Sequence, residues 1–266
     1  MMTSADVLTP EEVAAFEQRG FVQVPAAFAR ADALAMQEFM WEQLRAGSGI
    51  ERDNPSTWSY AHGLNRTAED PIYEAIAAPR LCGAMDQLLG AGMWDAPKSW
   101  GGFLVTFPRG TPDTWDLTSK DWHWDGNPDD HLRGLGGLFV FTLFSDIRPR
   151  GGGTLILSGS HRLIHRFFER LPPEVSRQKQ KPLKQRFSAS HPWLAELTGA
   201  VPHSTNRVQR FMQNTTEIDG VLVNVVEITG EPGDAFLCHP SIFHAASPNH
   251  ADAPRFMRVK GMSCRR

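Results

Sequence analysis

The sequence predicts a mainly β fold with flanking helices, in which a sandwich or jelly-roll barrel follows a helical amino-terminal part. Three observations support this: helical patterns open the chain within the first 95 or so residues, short apolar runs rich in Phe, Val and Thr begin near residue 100, and Gly/Pro turns separate those runs. At 266 residues, the chain can bury a sizeable core. We expect one domain over residues 1–266, with the helical part at about 1–95 and the barrel at about 100–262.

The amino-terminal helices are marked by their caps and by apolar spacing. Thr9-Pro10-Glu11-Glu12 forms a capping box pattern, and Gly20 is a suitable stop for a first helix that carries Phe16 and Phe21. A second helix is expected over residues 30–44, and a third over residues 79–89 before Gly90.

The strands are expected where compact apolar runs lie between turn clusters. The predicted strands cover residues 102–107, 135–144, 154–157, 221–228, 235–238 and 256–262. A basic insertion at about 162–212 interrupts them. Its first part, residues 162–186, holds eight Lys or Arg against two Glu. The insertion is therefore either a solvated basic face or a lid that attracts an anionic substrate.

Composition excludes several classes of protein. A net charge of −3 and a pI near 6.4 give no electrostatic reason for nucleic acid or an anionic membrane as partner. The longest apolar run has about half the length of a membrane span, and the first residues lack the pattern of a secretion signal. Three cysteines without a CxxC pair argue against a disulfide framework and a cysteine zinc site. We therefore expect a cytoplasmic globular protein.

The candidate metal ligands are His123, Asp125 and His244. His123-Trp124-Asp125 places an imidazole and a carboxylate on one face of a strand, since side chains at i and i+2 point the same way. Two His and one carboxylate form the facial triad typical of non-haem Fe(II) oxygenases. His244 follows a turn and a short apolar strand, as a third ligand should, and His239 is its rival. A second copy of the motif, His250-Ala251-Asp252, has no later His to complete it.

A candidate anion receptor follows eleven residues after His244. In the predicted strand from Arg255, alternate side chains point to the same face. This parity places Arg255 with Met257 and Val259 on the face that we expect to be the interior. A buried Arg requires an anionic partner and binds a carboxylate well. Thr106, the single polar side chain of its strand, either hydrogen-bonds a cosubstrate or is simply a good strand former.

The ordered motifs resemble the phytanoyl-CoA dioxygenase-like family of Fe(II)/2-oxoglutarate-dependent oxygenases. The resemblance rests on LTPEEVAAFEQRGFVQVP, HWDG, GGGTLILSGSHR, GDAFLCHPSIFHAASPN and the later Arg, which together span nearly the whole chain. It implies a double-stranded β-helix of the cupin-like jelly-roll type, with His123, Asp125 and His244 as iron ligands. It also implies that Arg255 binds the distal carboxylate of 2-oxoglutarate. Two positions depart from the family pattern: Ala246 stands where Ser is common, and Phe141 where Trp is common.

The resemblance further implies an enzyme that consumes dioxygen and 2-oxoglutarate, releases succinate and CO2, and most simply hydroxylates a metabolite or natural-product scaffold. Retention of Asp125 argues against halogenation. Hydroxylation of an acyl-CoA, and desaturation, epimerisation or cyclisation at the same site, stay open. So do a cupin-like enzyme that works without 2-oxoglutarate and a non-catalytic ligand-binding jelly roll.

Other residues near these motifs have simpler explanations. Five of the eight Trp lie between residues 94 and 124, where they line a substrate pocket or pack in the core. A structural role is expected for His161, and solvation for Asp129, Asp130 and His131.

Overall fold

The computed structural model describes residues 7–58, 70–125, 135–172, 175, 180–202 and 206–265. Six α-helices lie within these ranges: α1 Pro10–Arg19, α2 Arg30–Ser48, α3 Pro79–Leu89, α4 Ser160–Glu169, α5 Gln180–Ala189 and α6 Pro192–Leu197. Short 3-10 turns cover Pro55–Thr57, Pro71–Ile76 and Pro112–Thr114, and a π-helical turn covers Gln209–Gln213. No helix among the described residues is both long and apolar enough to cross a membrane.

The strands form two antiparallel sheets and a hairpin. They are β1 Phe21–Val24, β2 Gly102–Thr106, β3 Gly137–Leu143, β4 Leu155–Leu157, β5 Thr216–Ile218, β6 Val221–Val223, β7 Val225–Glu227, β8 Ala235–Cys238, β9 Phe243–Ala245 and β10 Arg255–Ser263. The larger sheet has the order β1-β8-β3-β10-β2, the smaller has β7-β4-β9, and β5 pairs with β6. This arrangement confirms the predicted jelly roll with flanking helices.

Three apolar clusters show how the layers stack. Side chains of both sheets, including Phe141, Ile156 and Met257, form a central cluster between them. The outer face of the larger sheet packs on α2 and α3, and the outer face of the smaller sheet packs on the helices of the insertion. The inner cluster is therefore shielded on both sides, so that a site between the sheets lies in a protected environment.

The first helix begins and ends where the sequence predicts. Glu12 N donates to Thr9 Oγ1 at 3.2 Å, and Thr9 N donates to Glu12 Oε2 at 2.8 Å, which is a complete capping box. Gly20 ends the helix with φ of +81°, and its N–H donates to Phe16 O. The assignment of Phe21 to the helix was wrong: it starts β1, an unpredicted strand, and packs in the cluster between the sheets.

The first part of β10, residues 255–258, is buried on both faces. Met257 lies in the inner cluster, as parity predicts for the face that carries Arg255. The opposite face is not solvated, because Phe256 and Arg258 are buried beneath the amino-terminal helical part. The Arg258 guanidinium lies 3.8 Å from the centroid of the Tyr73 ring. Sequence parity distinguishes the two faces but does not reveal that helices cover the outer one.

The basic insertion is helical and only partly solvated. Along α5, Leu183 and Phe187 are buried while Lys181 and Arg186 are exposed. The insertion thus presents an apolar face to the smaller sheet and a basic face outward. Lys184, between the two, is half-buried.

Candidate active site

The predicted metal ligands meet at the edge of the smaller sheet. The His123 segment adds to β9 as an antiparallel bridge: His123 N donates to His244 O at 2.9 Å, and His244 N donates to His123 O at 2.8 Å. This pairing places the two imidazole rings side by side, with 4.3 Å between their centroids. Asp125 follows two residues after His123. The antiparallel pairing thereby brings the His-x-Asp motif next to His244, which lies 121 positions after His123.

The three side chains present donor atoms to one point. His123 Nε2 lies 3.5 Å from Asp125 Oδ1, and His244 Nε2 lies 3.4 Å from Asp125 Oδ2. One ligand atom from each residue falls within 4.8 Å of the other two. Donor atoms on one face of an octahedral ion with bonds of about 2.1 Å lie about 3 Å apart. The spacing therefore fits a metal ion after a small contraction.

Backbone carbonyls select the imidazole tautomer that binds metal through Nε2. His123 Nδ1 lies 2.6 Å from Asp121 O, and His244 Nδ1 lies 3.0 Å from Ile242 O. A carbonyl oxygen only accepts hydrogen bonds, so each Nδ1 carries the proton and donates it. In the neutral rings, both Nε2 lone pairs then face Asp125. Such orientation of the ligands by carbonyls is usual around protein metal sites.

The electrostatic environment is consistent with this arrangement. Burial lowers the pKa of His123, and the neighbouring His244 adds to the effect, which favours the neutral ring that binds metals. Burial by itself would raise the pKa of Asp125, but a hydrogen bond from His244 and the charges of His244 and His123 in their protonated forms, together with that of Lys184, lower it. The carboxylate is therefore held ionised beside two imidazoles.

Aromatic side chains pack around the candidate metal centre. Trp124, between the two ligands of the His-x-Asp motif, is fully buried and packs against Phe243, Phe168 and Phe187. Phe141 lies edge-on to the His244 ring, with 6.3 Å between the ring centroids. Packing holds the ligand-bearing segments rigidly.

Three of the other four Trp residues of the predicted cluster belong to the core, and Trp94 packs against it while only partly buried. Trp100 lies beneath the amino-terminal helices, whereas Trp115 and Trp122 lie with Trp124 under the smaller sheet. Core packing, rather than a common substrate pocket, accounts for them.

Arg255 and Thr106 lie together on the larger sheet. The register of β10 and β2 makes them direct partners, and Arg255 Nη2 donates to Thr106 Oγ1. Arg255 is 6% exposed, and its Nη1 lies against Met257 Sδ. Burial lowers the pKa of Arg255 to about 10, although the charge of Glu227 opposes this. Its Nε has no hydrogen-bond partner within the part of the chain that the structure describes. The guanidinium thus retains an unused donor.

Glu227, at the end of β7, is a buried carboxylate that the sequence analysis did not single out. It accepts hydrogen bonds from Arg150 N at 2.7 Å and Gly153 N at 3.1 Å. Burial raises the pKa of Glu227, while those backbone donors and the charge of Arg255 partly compensate. The Gly-rich turn at 151–153 therefore holds an acid near the candidate anion receptor. A single Glu in a short strand gives no sequence signal for this role.

The rival residues lie elsewhere. The ring of His239 packs on that of His161, at 4.9 Å between centroids, and its Nδ1 accepts from Ser241 N. His250 Nδ1 lies 2.8 Å from Thr111 O, in an exposed loop, so the second His-x-Asp copy is structural. Ser247 Oγ accepts from Trp115 Nε1 and does not replace the Ser missing at Ala246. Residues 126–134, with Asp129, Asp130 and His131, lie outside the described residues.

The family comparison covers nearly the whole chain. A profile described as phytanoyl-CoA dioxygenase matches residues 5–257, the family that the sequence motifs resemble. A comparison with curated protein sequences gave no match.

Solved structures share the fold at low sequence identity. AviO1 from Streptomyces viridochromogenes Tue57 is 14% identical with a TM-score of 0.54, covering 97% of this chain and 96% of its own. The non-haem alpha-ketoglutarate-dependent carbocyclase SnoK from nogalamycin biosynthesis is 19% identical with a TM-score of 0.52, covering 96% and 84%. The epimerase SnoN, solved with Fe3+, alpha-ketoglutarate and a nogalamycin compound, is 14% identical with a TM-score of 0.52, covering 95% and 82%.

Proposed function

The chain belongs to the phytanoyl-CoA dioxygenase family of non-haem iron, 2-oxoglutarate-dependent oxygenases, and we propose that His123, Asp125 and His244 hold its ferrous ion. The observation that carries the proposal is the convergence of two imidazole Nε2 atoms on one carboxylate, at 3.5 and 3.4 Å. Iron held by these three residues would supply the redox chemistry by which 2-oxoglutarate and dioxygen are converted to succinate and CO2 while a substrate is oxidised.

We assign the distal carboxylate of 2-oxoglutarate to Arg255 and Thr106. The guanidinium is buried, and its Nε has no protein partner among the described residues. A buried guanidinium binds a carboxylate through short, charge-assisted hydrogen bonds. Thr106 Oγ1 accepts from Nη2 and thereby fixes the plane of the guanidinium. The inner cluster around it excludes water and strengthens the interaction.

We propose a small organic molecule as the substrate, with a natural-product scaffold as the leading candidate and hydroxylation as the simplest outcome. SnoK and SnoN, which share the fold, are described as enzymes of nogalamycin biosynthesis. Their reactions are a carbocyclisation and an epimerisation, so the same outcomes remain alternatives for this chain. Among the described residues, no feature favours a CoA ester over a free metabolite.

A titration of the anaerobic Fe(II) protein with 2-oxoglutarate tests the assignment. A visible metal-to-ligand charge-transfer band is expected on addition of 2-oxoglutarate, because the cosubstrate binds the iron directly. A cupin-like enzyme that works without 2-oxoglutarate, or a non-catalytic jelly roll, would give no band and would contradict the proposal. A mass-spectrometric screen for compounds that gain one oxygen, with succinate measured in parallel, then identifies the substrate.

A further inference from the structure

Lys184, in the described part of the basic insertion, lies beside the candidate metal centre. Its Nζ lies 5.6 Å from the centroid of the Trp124 ring. Three residues further along α5, Phe187 packs edge-on against the same ring, with 5.8 Å between centroids. Residues three apart on a helix share a face. Phe187 therefore anchors α5, and Lys184 is held beside the segment that carries His123 and Asp125.

Among the residues that the structure describes, the ammonium group of Lys184 has no direct counter-ion. Its charge acts on both Asp125 and His123. Yet within the described ranges it forms no ion pair shorter than 4 Å and no hydrogen bond. Its side chain is half-buried, and burial lowers the pKa of Lys184. A partly desolvated cation without a direct partner is unfavourable by itself, so a ligand that brings an anion would stabilise it.

The position of Lys184 separates it from the site assigned to 2-oxoglutarate. Arg255 lies on β10 of the larger sheet, whereas Lys184 extends from the insertion that packs on the smaller sheet. The distal carboxylate of 2-oxoglutarate is assigned to Arg255, and its other end to the metal. Both ends of the cosubstrate are then occupied, which leaves the substrate as the source of an anion for Lys184.

We propose that Lys184 is a specificity-determining residue that binds an oxyanion of the substrate, a carboxylate or a phosphate, beside the metal centre. This inference rests on the proposed function. Its chemical content is a charge-assisted hydrogen bond from Nζ to the oxyanion, with Trp124 stabilising the same cation through its ring face. The substrate class is then an organic acid or phosphate ester rather than a neutral scaffold.

Three matched aromatic probes test the proposal: 2-naphthoate, 2-naphthyl phosphate and neutral 2-naphthamide. Their affinities are measured by calorimetry on the anaerobic Fe(II) protein with 2-oxoglutarate at saturation, so that the Arg255 site is filled. One of the two anions is expected to bind about ten- to a hundredfold more tightly than the amide, the range for a charge-assisted hydrogen bond. Whichever of the two anions binds more tightly shows whether Lys184 prefers a carboxylate or a phosphate.

Variants of α5 assign the preference to Lys184. Lys184→Met should abolish the difference between anion and amide, Lys184→Arg should keep most of it, and Lys181→Met, an exposed control on the same helix, should leave it unchanged. The proposal is overturned if the parent protein binds the acids and the amide with equal affinity, or if it binds none of them. A preference for the anion that survives Lys184→Met would also overturn it. If Lys184→Met changed only the affinity for metal, Lys184 would be a positioning residue for Asp125, and the proposal would again be wrong. Failure of the proposed function is distinct, because the parent protein would then lack the 2-oxoglutarate band.

Discussion

Arg255 and Thr106 face each other across two antiparallel strands, and the guanidinium of Arg255 donates to the hydroxyl of Thr106. The pair lies on the wall between the two sheets, in a region closed on both sides by helices. A direct cross-strand pair keeps both side chains in one place with little freedom. The proposed receptor is thus held in one arrangement by the strand pairing.

Replacing Arg255 should selectively weaken binding of 2-oxoglutarate. We expect Arg255→Ala to raise the 2-oxoglutarate concentration required for half-maximal band intensity by about ten- to a hundredfold, because a hydrogen bond to a charged group is lost. Thr106→Val, which removes a neutral hydrogen bond, should cost about tenfold or less. Spectroscopic titration measures both. If the substrate requirement moved instead of the 2-oxoglutarate requirement, Arg255 would be misassigned.

The duplicated His-x-Asp motif provides a matched test of the metal ligands. Asp125→Asn and His123→Ala should bind Fe(II) weakly and form no succinate, because each removes one of three ligands. Asp252→Asn and His250→Ala change the same residue types in an exposed loop and should retain both properties. Anaerobic metal titration and succinate assays measure the outcome. Full turnover in His123→Ala would disprove the assignment.

Much of the candidate site follows from local sequence rules, and the rest depends on tertiary contacts. The two-residue spacing of His123 and Asp125 and the parity of Arg255 are local, so they are predictable. The backbone pairing of His123 with His244 brings His244, rather than His239, beside them. Glu227 and Lys184 have no local signal, because their positions depend on how β7 and α5 pack against other elements. For the same reason, sequence parity misses the burial of Arg258 under the helices.

The start of β3 should be intolerant of any side chain. A Cβ added to Gly137 would lie 1.9 Å from the carbonyl oxygen of Met262, whereas one added to Gly136 meets no atom within 4 Å. Relieving the contact requires the β3–β10 pairing to shift. We expect Gly137→Ala to lower the free energy of unfolding by about 1–3 kcal/mol or more, and Gly136→Ala to change it by less than about 0.5 kcal/mol. Urea denaturation compares them, and equal stabilities would show that the strands separate readily here.

His161 should make the fold sensitive to acid. Its Nε2 donates to Glu17 O at 3.0 Å, and its Nδ1 is buried with no hydrogen-bond partner within the described part of the chain. Burial lowers the pKa of His161 to about 4, and the charges of Arg162 and His165 add to the effect. Protonation would create a buried N–H without an acceptor. His239, another titratable residue, packs its ring on that of His161.

The sign of the pH effect follows from these pKa values. Because the pKa of His161 in the folded protein is below its value of about 6.5 in the unfolded chain, the neutral ring is favoured by folding. The stability that depends on the neutral His161 ring is fully present above pH 6.5. As the pH falls towards 4, the free energy of unfolding decreases by up to about 3 kcal/mol on this account. His161→Gln keeps a donor for Glu17 O but cannot gain the proton. Because the variant loses the ring that packs on His239, we expect it to be less stable than the parent at pH 7.5. Because it does not titrate, we expect it to lose less stability on acidification.

Urea denaturation at pH 7.5, 5.5 and 4.5 measures this difference, with His165→Gln as an exposed control on the same helix. The acidic and metal-binding groups elsewhere in the chain titrate in parent and variant alike, so they cancel in the comparison. If His161→Gln lost as much stability as the parent between pH 7.5 and 4.5, the buried ring would not be the acid-sensitive group. The acid sensitivity would then have to come from groups shared by both proteins, with the carboxylates as the first to test.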